Sequence, residues 1–343
     1  MKPESMINIF FTADNQYAKY LAVAITSIIV NTEASVSFYV LDGGISKESR
    51  RRIEDLKKIK PFLIEYISID KDLFKDCPES SQNHISDNTN YRFLISTLKP
   101  NIDRCIFLDA DLVATGDISK LWNVDMGDNY MAAVTDQFPL SPNSWAKKLP
   151  LPKDYIYVNT GVIVVNLKKW REDGIEEKLF ENLKKYRNLL MFPDQDTLNI
   201  TLAPHVQYLS HVFNAMPVQC YYNIDQARKA FSAPVILHWA GARKPWRKPH
   251  VKMANIYFHY ARMTPFYEEI LYENVINDEG ILNDVLKSEE LRDIASLPDY
   301  RRKLGRICFK VHFSWGKRKQ RYLKPKEQLK NKIDNIEKIL KNV

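Results

Sequence analysis

Residues Ile106–Asp117 read IFLDADLVATGD. With Cys105 they begin as an apolar run, C-I-F-L, of the length and composition of a buried strand. Two aspartates, Asp109 and Asp111, follow at once. In an open α/β sheet, ligands bind beyond the carboxyl ends of the strands, so the pair stands where chemistry is expected. Carboxylates at i and i+2, where a strand unwinds into a loop, can both reach one divalent cation. Hard oxygen ligands suit Mg²⁺ or Mn²⁺, which would bridge a diphosphate and neutralise a departing phosphate oxygen. Two other readings of the pair stay open here: solvated loop residues, or the nucleophile site of a haloacid-dehalogenase-like phosphatase. Phosphatases of that kind carry the motif early and follow it with Gly or Thr, whereas here it starts at Asp109 and Leu112 follows.

Outward from this segment, strand and helix patterns alternate. Ile7–Thr12, Val36–Leu41, Leu63–Ile69, Met131–Thr135, Val162–Asn166 and Val235–Trp239 read as strands. Tyr17–Asn31 reads as a helix with Leu21, Ala24, Ile25 and Ile28 on one stripe, and Lys47–Lys58, Glu176–Arg187 and Gln195–Leu202 also read as helices. Another helix begins within Asn90–Ser96. The alternation predicts an α/β fold with a parallel, doubly wound sheet. From Lys252 the pattern becomes helical and aromatic, and beyond Leu297 it becomes basic.

A chain of 343 residues accommodates one large α/β domain with an appendage, or two modest domains. Cys77, Cys105, Cys220 and Cys308 are far apart with no C-x-x-C pair, which argues against a disulfide framework or zinc knuckle and fits a reducing cytoplasm. MKPESMINIFF lacks the basic-then-apolar build of a signal peptide, and Leu21–Val30, broken by Thr26 and Ser27, is too short to cross a bilayer. Neither export by that route nor a membrane span is expected. The net charge of +8 conceals an asymmetry: Tyr300–Val343 holds 15 Lys and Arg against three acids, leaving +12 there and −4 over residues 1–299. A tail so basic points to an anionic partner.

The aspartate pair has company. Tyr91-Arg92-Phe93-Leu94-Ile95, Leu98-Lys99-Pro100, Ile106–Asp117 and Leu121-Trp122 together resemble glycosyltransferase family 8, which includes bacterial lipopolysaccharide galactosyl- and glucosyltransferases and the glycogenins. Further blocks match in the same order: IFFTADNQY (Ile9–Tyr17), VNTGVIVVNLKKW (Val158–Trp170), FPDQDTLN (Phe192–Asn199) and HWAGARKPW (His238–Trp246). The likeness runs from about Met6 to Trp246, and its last motif is long enough to be specific by itself. It implies a GT-A, Rossmann-like catalytic domain with a mixed, mostly parallel sheet over 1–255, a helical part over 256–298 and a basic amphipathic tail over 299–343.

The resemblance also implies roles. Asp109, Asp111 and His238 would hold Mn²⁺ or Mg²⁺. Ala13, Asp14, Tyr17, Arg92, Asp109, Ala110, Asn159, Gly241 and Lys244 would bind a UDP-sugar, with Asp14 at the uracil edge and Arg92 at the donor sugar or diphosphate. Gln195, Asp194 and Asp136 would line the reacting sugar, and His84 would lie near the donor phosphate. Gln16 stands where some relatives carry Asn. Plainer readings accompany several of these: Asp14 or Asn15 could cap the helix from Tyr17, Arg92 could form a surface ion pair, and Trp246 reads as a structural anchor. Family membership implies retention at the anomeric carbon. The nearest aligned candidate for a nucleophile, Gln195, is an amide, so same-face attack is favoured over a two-carboxylate scheme. Tyr300–Leu323 interleaves basic residues with Leu304, Ile307, Phe309, Val311, Phe313 and Trp315. That pattern suits a membrane-surface anchor better than a nucleic-acid site, and Lys326–Leu340 reads as a short amphipathic helix. The expected partners are a UDP-hexose, a lipid-linked or lipopolysaccharide saccharide acceptor, and an anionic membrane surface at the cytoplasmic face. A non-catalytic nucleotide-sugar-binding protein and the phosphatase remain the competing readings, separable by Mn²⁺-dependent UDP release.

Overall fold

Strands β1 (Ile7–Ala13), β2 (Val36–Asp42), β3 (Leu63–Ser68) and β4 (Arg104–Leu108) form where the apolar runs predict them. The computed structural model describes residues 6–74, 87–141, 144–219, 221, 223–248, 250–277, 293, 296–314 and 316–341. His84, Cys77, Cys220 and Trp315 lie outside the described residues. The first four strands are parallel neighbours in the order β3-β2-β1-β4. Beyond β4 the sheet continues through β7 (Val158–Asn166), β6 (Met131–Thr135) and β8 (Val206–Tyr208).

Strand β7 runs antiparallel to both β4 and β6, so the wholly parallel sheet that the alternation predicts gives way to the mixed, mostly parallel one that the resemblance implies. The cause is the segment between Thr135 and Val158. Among its described residues it holds two short 3₁₀ turns, Phe138–Leu140 and Trp145–Lys148, and no crossover helix. Without a crossover the chain re-enters the sheet from the end at which it left. The start of β7 therefore lies beside the carboxyl ends of β4 and β6: Asp109 N donates to Gly161 O at 2.8 Å, and Asp136 N to Tyr157 O at 3.0 Å. A register shift between Ala133 and Val134, whose partners are Ile163 and Asn159, leaves a bulge at this edge.

Both faces of the sheet are covered. Ile9, Phe11, Ile106 and Leu108 pack with the helix Ala18–Asn31, while Phe10, Cys105 and Phe107 pack on the opposite side with Leu179 and Leu198. Burial on both faces explains why these strands read as continuous apolar runs. Val235–Trp239 narrows to β9 (Ile236–His238), which pairs antiparallel with β5 (Leu112–Ala114) in a separate two-stranded ribbon. Leu112 stands opposite His238 there.

Contacts divide the chain into two units, Met1–Asn274 and Val275–Val343. The first holds both sheets. Within the second, the helices Leu297–His312 and Gly316–Lys341 pack through Leu297, Ile333 and Ile336, with Tyr300, Leu304 and Leu329 against them. The basic stretch expected to be continuous is broken between these helices, at Gly316 with φ +57°. Leu304 thus belongs to the hairpin's own core, whereas Phe309 and Phe313 stay 66% and 65% exposed with ring centroids 4.5 Å apart. Among the described residues no helix is long and apolar enough to cross a membrane.

Candidate active site

The β5–β9 ribbon brings His238 back to the aspartate pair. Ligand atoms of Asp109, Asp111 and His238 all lie within 4.8 Å of one another. His238 is 1% and Asp111 8% exposed. His238 Nε2 stands 3.1 Å from Asp111 Oδ1 and 3.9 Å from Asp109 Oδ2. Nε2 and Asp111 Oδ1 are nonetheless buried atoms without a hydrogen-bond partner.

The surrounding amides explain why. The backbone N–H of Gly161 donates to Asn159 Oδ1 at 3.1 Å, which fixes that atom as the oxygen. Asn214 Nδ2 must then be the donor to Asn159 Oδ1, at 2.8 Å. Its Oδ1 in turn faces His238 Nδ1 at 2.9 Å and takes that nitrogen's proton in a hydrogen bond. Nε2 is thereby the ring nitrogen left to ligate, and it faces a carboxylate oxygen with no hydrogen bond between them. A cation between two such buried atoms would satisfy both, and an imidazole with two carboxylates suits a borderline-hard divalent ion. The residues fit such an ion.

Arg92, read in sequence as a donor-binding residue, is buried and engaged on every side. Its Nε donates to Thr89 O and its Nη1 to Thr160 O, both at 2.9 Å. Its Nη2 pairs with Asp109 Oδ1 at 2.9 Å and Asp194 Oδ2 at 3.1 Å, and the guanidinium lies 4.1 Å over the Phe107 ring. With Oδ1 held by Arg92, Asp109 turns Oδ2 towards His238. Burial pushes the Asp194 carboxyl up, and the Arg92 charge opposes that rise. Lys244 is likewise buried, donating to Asp111 Oδ2 and to Trp239 O. Burial alone would raise the Asp111 carboxyl, but the Lys244 charge beside it opposes that rise, and the group is held below the ordinary carboxylate range.

All the described residues to which the resemblance gives a site role line one cavity of about 750 Å³: Ala13, Asp14, Tyr17, Arg92, Asp109, Ala110, Asp111, Asp136, Asn159, Asp194, Gln195, His238, Gly241 and Lys244. At one end Asp14 Oδ1 accepts from Tyr17 N at 2.9 Å, while Asn15 is taken by Ser46 and Ser49 of the next helix. Burial, then the Asp111 charge, pushes the Tyr17 phenol up, so it stays neutral. At the other end Asp136 accepts from Phe138 N, Gln219, Asn159 and Gln195. Gln195 Oε1 accepts from Thr160 N at 3.0 Å and from Asn159 at 3.2 Å. Gly241, in the loop after β9, has φ +93°, a conformation glycine adopts without strain. Trp246 is 1% exposed and stacks on Tyr20 at 3.8 Å, an anchor beneath the site.

Sequence reasoning missed Asn214, which stands in H-V-F-N-A with no motif around it. It also passed over Gly161 inside the V-N-T-G-V block. A Cβ on Gly161 would come within 2.5 Å of Asp109 Oδ2 and closer still to His238 Cε1, so the triangle closes only around a glycine. The phosphatase reading finds no support: His238 from the β5–β9 ribbon completes the aspartate pair, and the pair shares its cavity with the other described residues of the glycosyltransferase motifs.

Comparison with known proteins agrees. A putative glycosyltransferase of Haemophilus influenzae is 31% identical over 243 residues, spanning 71% of this chain and 73% of its own. The lipopolysaccharide 1,3-galactosyltransferase of Salmonella typhimurium is 28% identical, over 74% of this chain and 77% of its own. The crystal structure of the galactosyltransferase LgtC, in complex with donor and acceptor sugar analogues, superposes with a TM-score of 0.69 at 28% identity. It covers 76% of this chain and 96% of that one. The mixed sheet is accordingly of the GT-A type. The model of Glycosyl transferase family 8 matches residues 8–249, and the chain belongs to that family.

Proposed function

We propose that this glycosyltransferase moves a hexose, galactose or glucose, from a UDP-sugar to a saccharide acceptor with retention at the anomeric carbon. The acceptor is a lipopolysaccharide or another cell-surface glycan precursor, as the name of the Salmonella relative suggests. The observation that carries this reading is the Asp109–Asp111–His238 triangle with Lys244 beside it, at the carboxyl edge of the sheet. Those three residues would hold Mn²⁺ or Mg²⁺, which when bound neutralises charge on the departing diphosphate. Lys244 adds a second positive charge at the same place. Ala13, Asp14 and Tyr17 receive the uridine. Asn159, Asp194 and Gln195 address the sugar hydroxyls.

Same-face attack fits the state of the pocket's carboxylates. A double displacement needs one free to attack, yet Asp136 accepts four hydrogen bonds from protein groups and Asp194 is paired with Arg92. The acceptor oxygen therefore bonds to the anomeric carbon on the face from which the phosphate oxygen leaves, and its proton passes to the released UDP. Positive charge developing on the ring is steadied by Asp136 and by the Gln195 carbonyl dipole.

The second unit supplies the location: peripheral binding to the anionic cytoplasmic face of the cell membrane. Exposed Phe309 and Phe313 beside exposed Arg306 and Lys310 support this, as an apolar pair flanked by cations suits the headgroup region. The test of the transferase reading is UDP release from UDP-galactose and UDP-glucose with and without Mn²⁺. Mn²⁺-dependent release, accelerated by lipopolysaccharide core oligosaccharides, is expected; no release with any UDP-hexose refutes it. If Gln195→Ala keeps most of its turnover, that residue has no such part.

A further inference from the structure

The helix Pro193–Leu202 opens with three consecutive polar residues that point about 100° apart. Asp194 turns to Arg92 and Gln195 to Thr160 and Asn159. Asp196 turns the other way and is 0% exposed. Its Oδ1 accepts from the Tyr157 hydroxyl and from Trp145 Nε1 at 3.1 Å. Its Oδ2 accepts from Met191 N at 2.7 Å, Phe192 N at 2.9 Å and Trp145 Nε1 at 3.2 Å. A carboxylate so deeply buried is tolerable only with this complement of donors. Burial pushes its pKa up, and the Tyr157, Phe192, Met191 and Trp145 donors oppose the rise.

What these donors share is a wall. Met191, Phe192 and Phe138 line the cavity, and Phe138 follows β6, three places along the sheet from β1, which Asp14 and Tyr17 follow. Phe138 packs on Trp145 at 5.4 Å and faces Phe192 at 6.4 Å, while Trp145 meets Phe192 edge-on at 5.1 Å. Phe138 is 56% exposed, so this wall reaches the mouth. With uridine at the Asp14 end and the donor sugar against Asn159 and Gln195, the mouth is where the second sugar enters. One face of a pyranose ring presents C–H groups, which pack well on apolar and aromatic side chains.

We propose that Asp196 is a positioning residue: it ties Trp145, Tyr157 and the Met191–Phe192 backbone into one unit, and so fixes the apolar wall against which the acceptor sugar ring is held. This rests on the transferase reading above and adds the residue that shapes its acceptor side. Asp196 then neither attacks nor touches the reacting atoms.

The test is a KM split in the full chain. The probe is whichever lipopolysaccharide core oligosaccharide most accelerates UDP release by the wild-type enzyme. Asp196→Asn puts an amide NH₂ either against the backbone donors of Met191 and Phe192 or against Trp145 Nε1 and a Tyr157 hydroxyl that must turn round to accept, so the wall loosens. Its acceptor KM is expected to rise about tenfold or more beyond any fall in acceptor-independent donor hydrolysis. Trp145→Phe, which removes one donor, is expected to shift the same ratio less. Phe138→Ala, at a position 56% exposed, is expected to raise acceptor KM by more than it lowers hydrolysis. An unchanged acceptor KM in both Asp196→Asn and Phe138→Ala overturns the proposal, as does a parallel fall of hydrolysis and transfer in Asp196→Asn. Absence of Mn²⁺-dependent hydrolysis in the wild type is a different result, and it refutes the transferase reading itself.

Discussion

Replacing Gly161 by alanine adds one methyl group at the point where three parts of the site meet. The new carbon would stand 2.5 Å from Asp109 Oδ2 and nearer still to His238 Cε1, where ordinary contact begins at 3.4 Å. Each neighbour has to retreat by roughly 1 Å to restore van der Waals contact. Neither can do so freely: His238 is 1% exposed and backed by Asn214, and Asp109 is tied through Oδ1 to Arg92. The ligand triangle therefore opens rather than slides. Misplacing reacting groups by about 1 Å costs on the order of 100-fold in rate, and disturbing the support of a metal ligand costs about 10–100-fold in affinity. Gly161→Ala is expected to lose Mn²⁺ affinity by that 10–100-fold, read from the free-ion EPR signal, and kcat/KM by about 100-fold. Thermal unfolding should fall by the few degrees that overpacking of about 1–3 kcal/mol produces, while the buried apolar clusters on either side of the sheet are untouched. A variant that binds Mn²⁺ within about threefold of wild type, when the ligands must move by this much, refutes the reasoning.

Three further outcomes follow from the same geometry. Asn214→Leu removes the acceptor that holds the His238 Nδ1 proton, and is expected to weaken Mn²⁺ binding by roughly 10–100-fold in the same EPR titration. Arg92→Lys cannot serve Thr160 O, Asp109 and Asp194 together, since an ammonium keeps the charge but lacks the planar fork; the buried acceptors left unmet should cost about 1–3 kcal/mol in a denaturant titration, with activity largely lost. Phe309→Ser with Phe313→Ser should weaken sedimentation with phosphatidylserine vesicles by about tenfold or more, leaving UDP release in solution unaltered.

Much of the sheet was legible because its strands are buried on both faces and read as uninterrupted apolar runs. Its polarity was legible only through the resemblance, not through the alternation. The direction of β7 depends on whether residues 136–157 cross the sheet, and 3₁₀ turns there carry no periodic pattern that would exclude a crossover helix. Strands β5 and β8, three residues each, are too short to show any alternation. The ion triangle was read through motif order, since Asp111 and His238 are separated by the whole second half of the catalytic unit and meet only in the β5–β9 ribbon.

What no sequence pattern conveys is how that triangle is kept ready. A ligand set of two carboxylates and an imidazole is competent only if the imidazole nitrogen facing the ion has no proton. Here an amide chain with one possible direction, begun by a backbone N–H that can only donate, makes Nδ1 the nitrogen that donates and leaves Nε2 as the one to face the ion. Gly161 supplies that N–H and, by lacking a side chain, also leaves room for Asp109 and His238 to approach. Asn159 passes the direction on through its oxygen while its nitrogen reaches Asp136 and Gln195, on the sugar side. The same asparagine would therefore serve the proposed ion and the proposed sugar pocket at once. Substitutions at Asn159 should disturb Mn²⁺ binding and donor binding together, whereas those at Asn214 should act first on the ion.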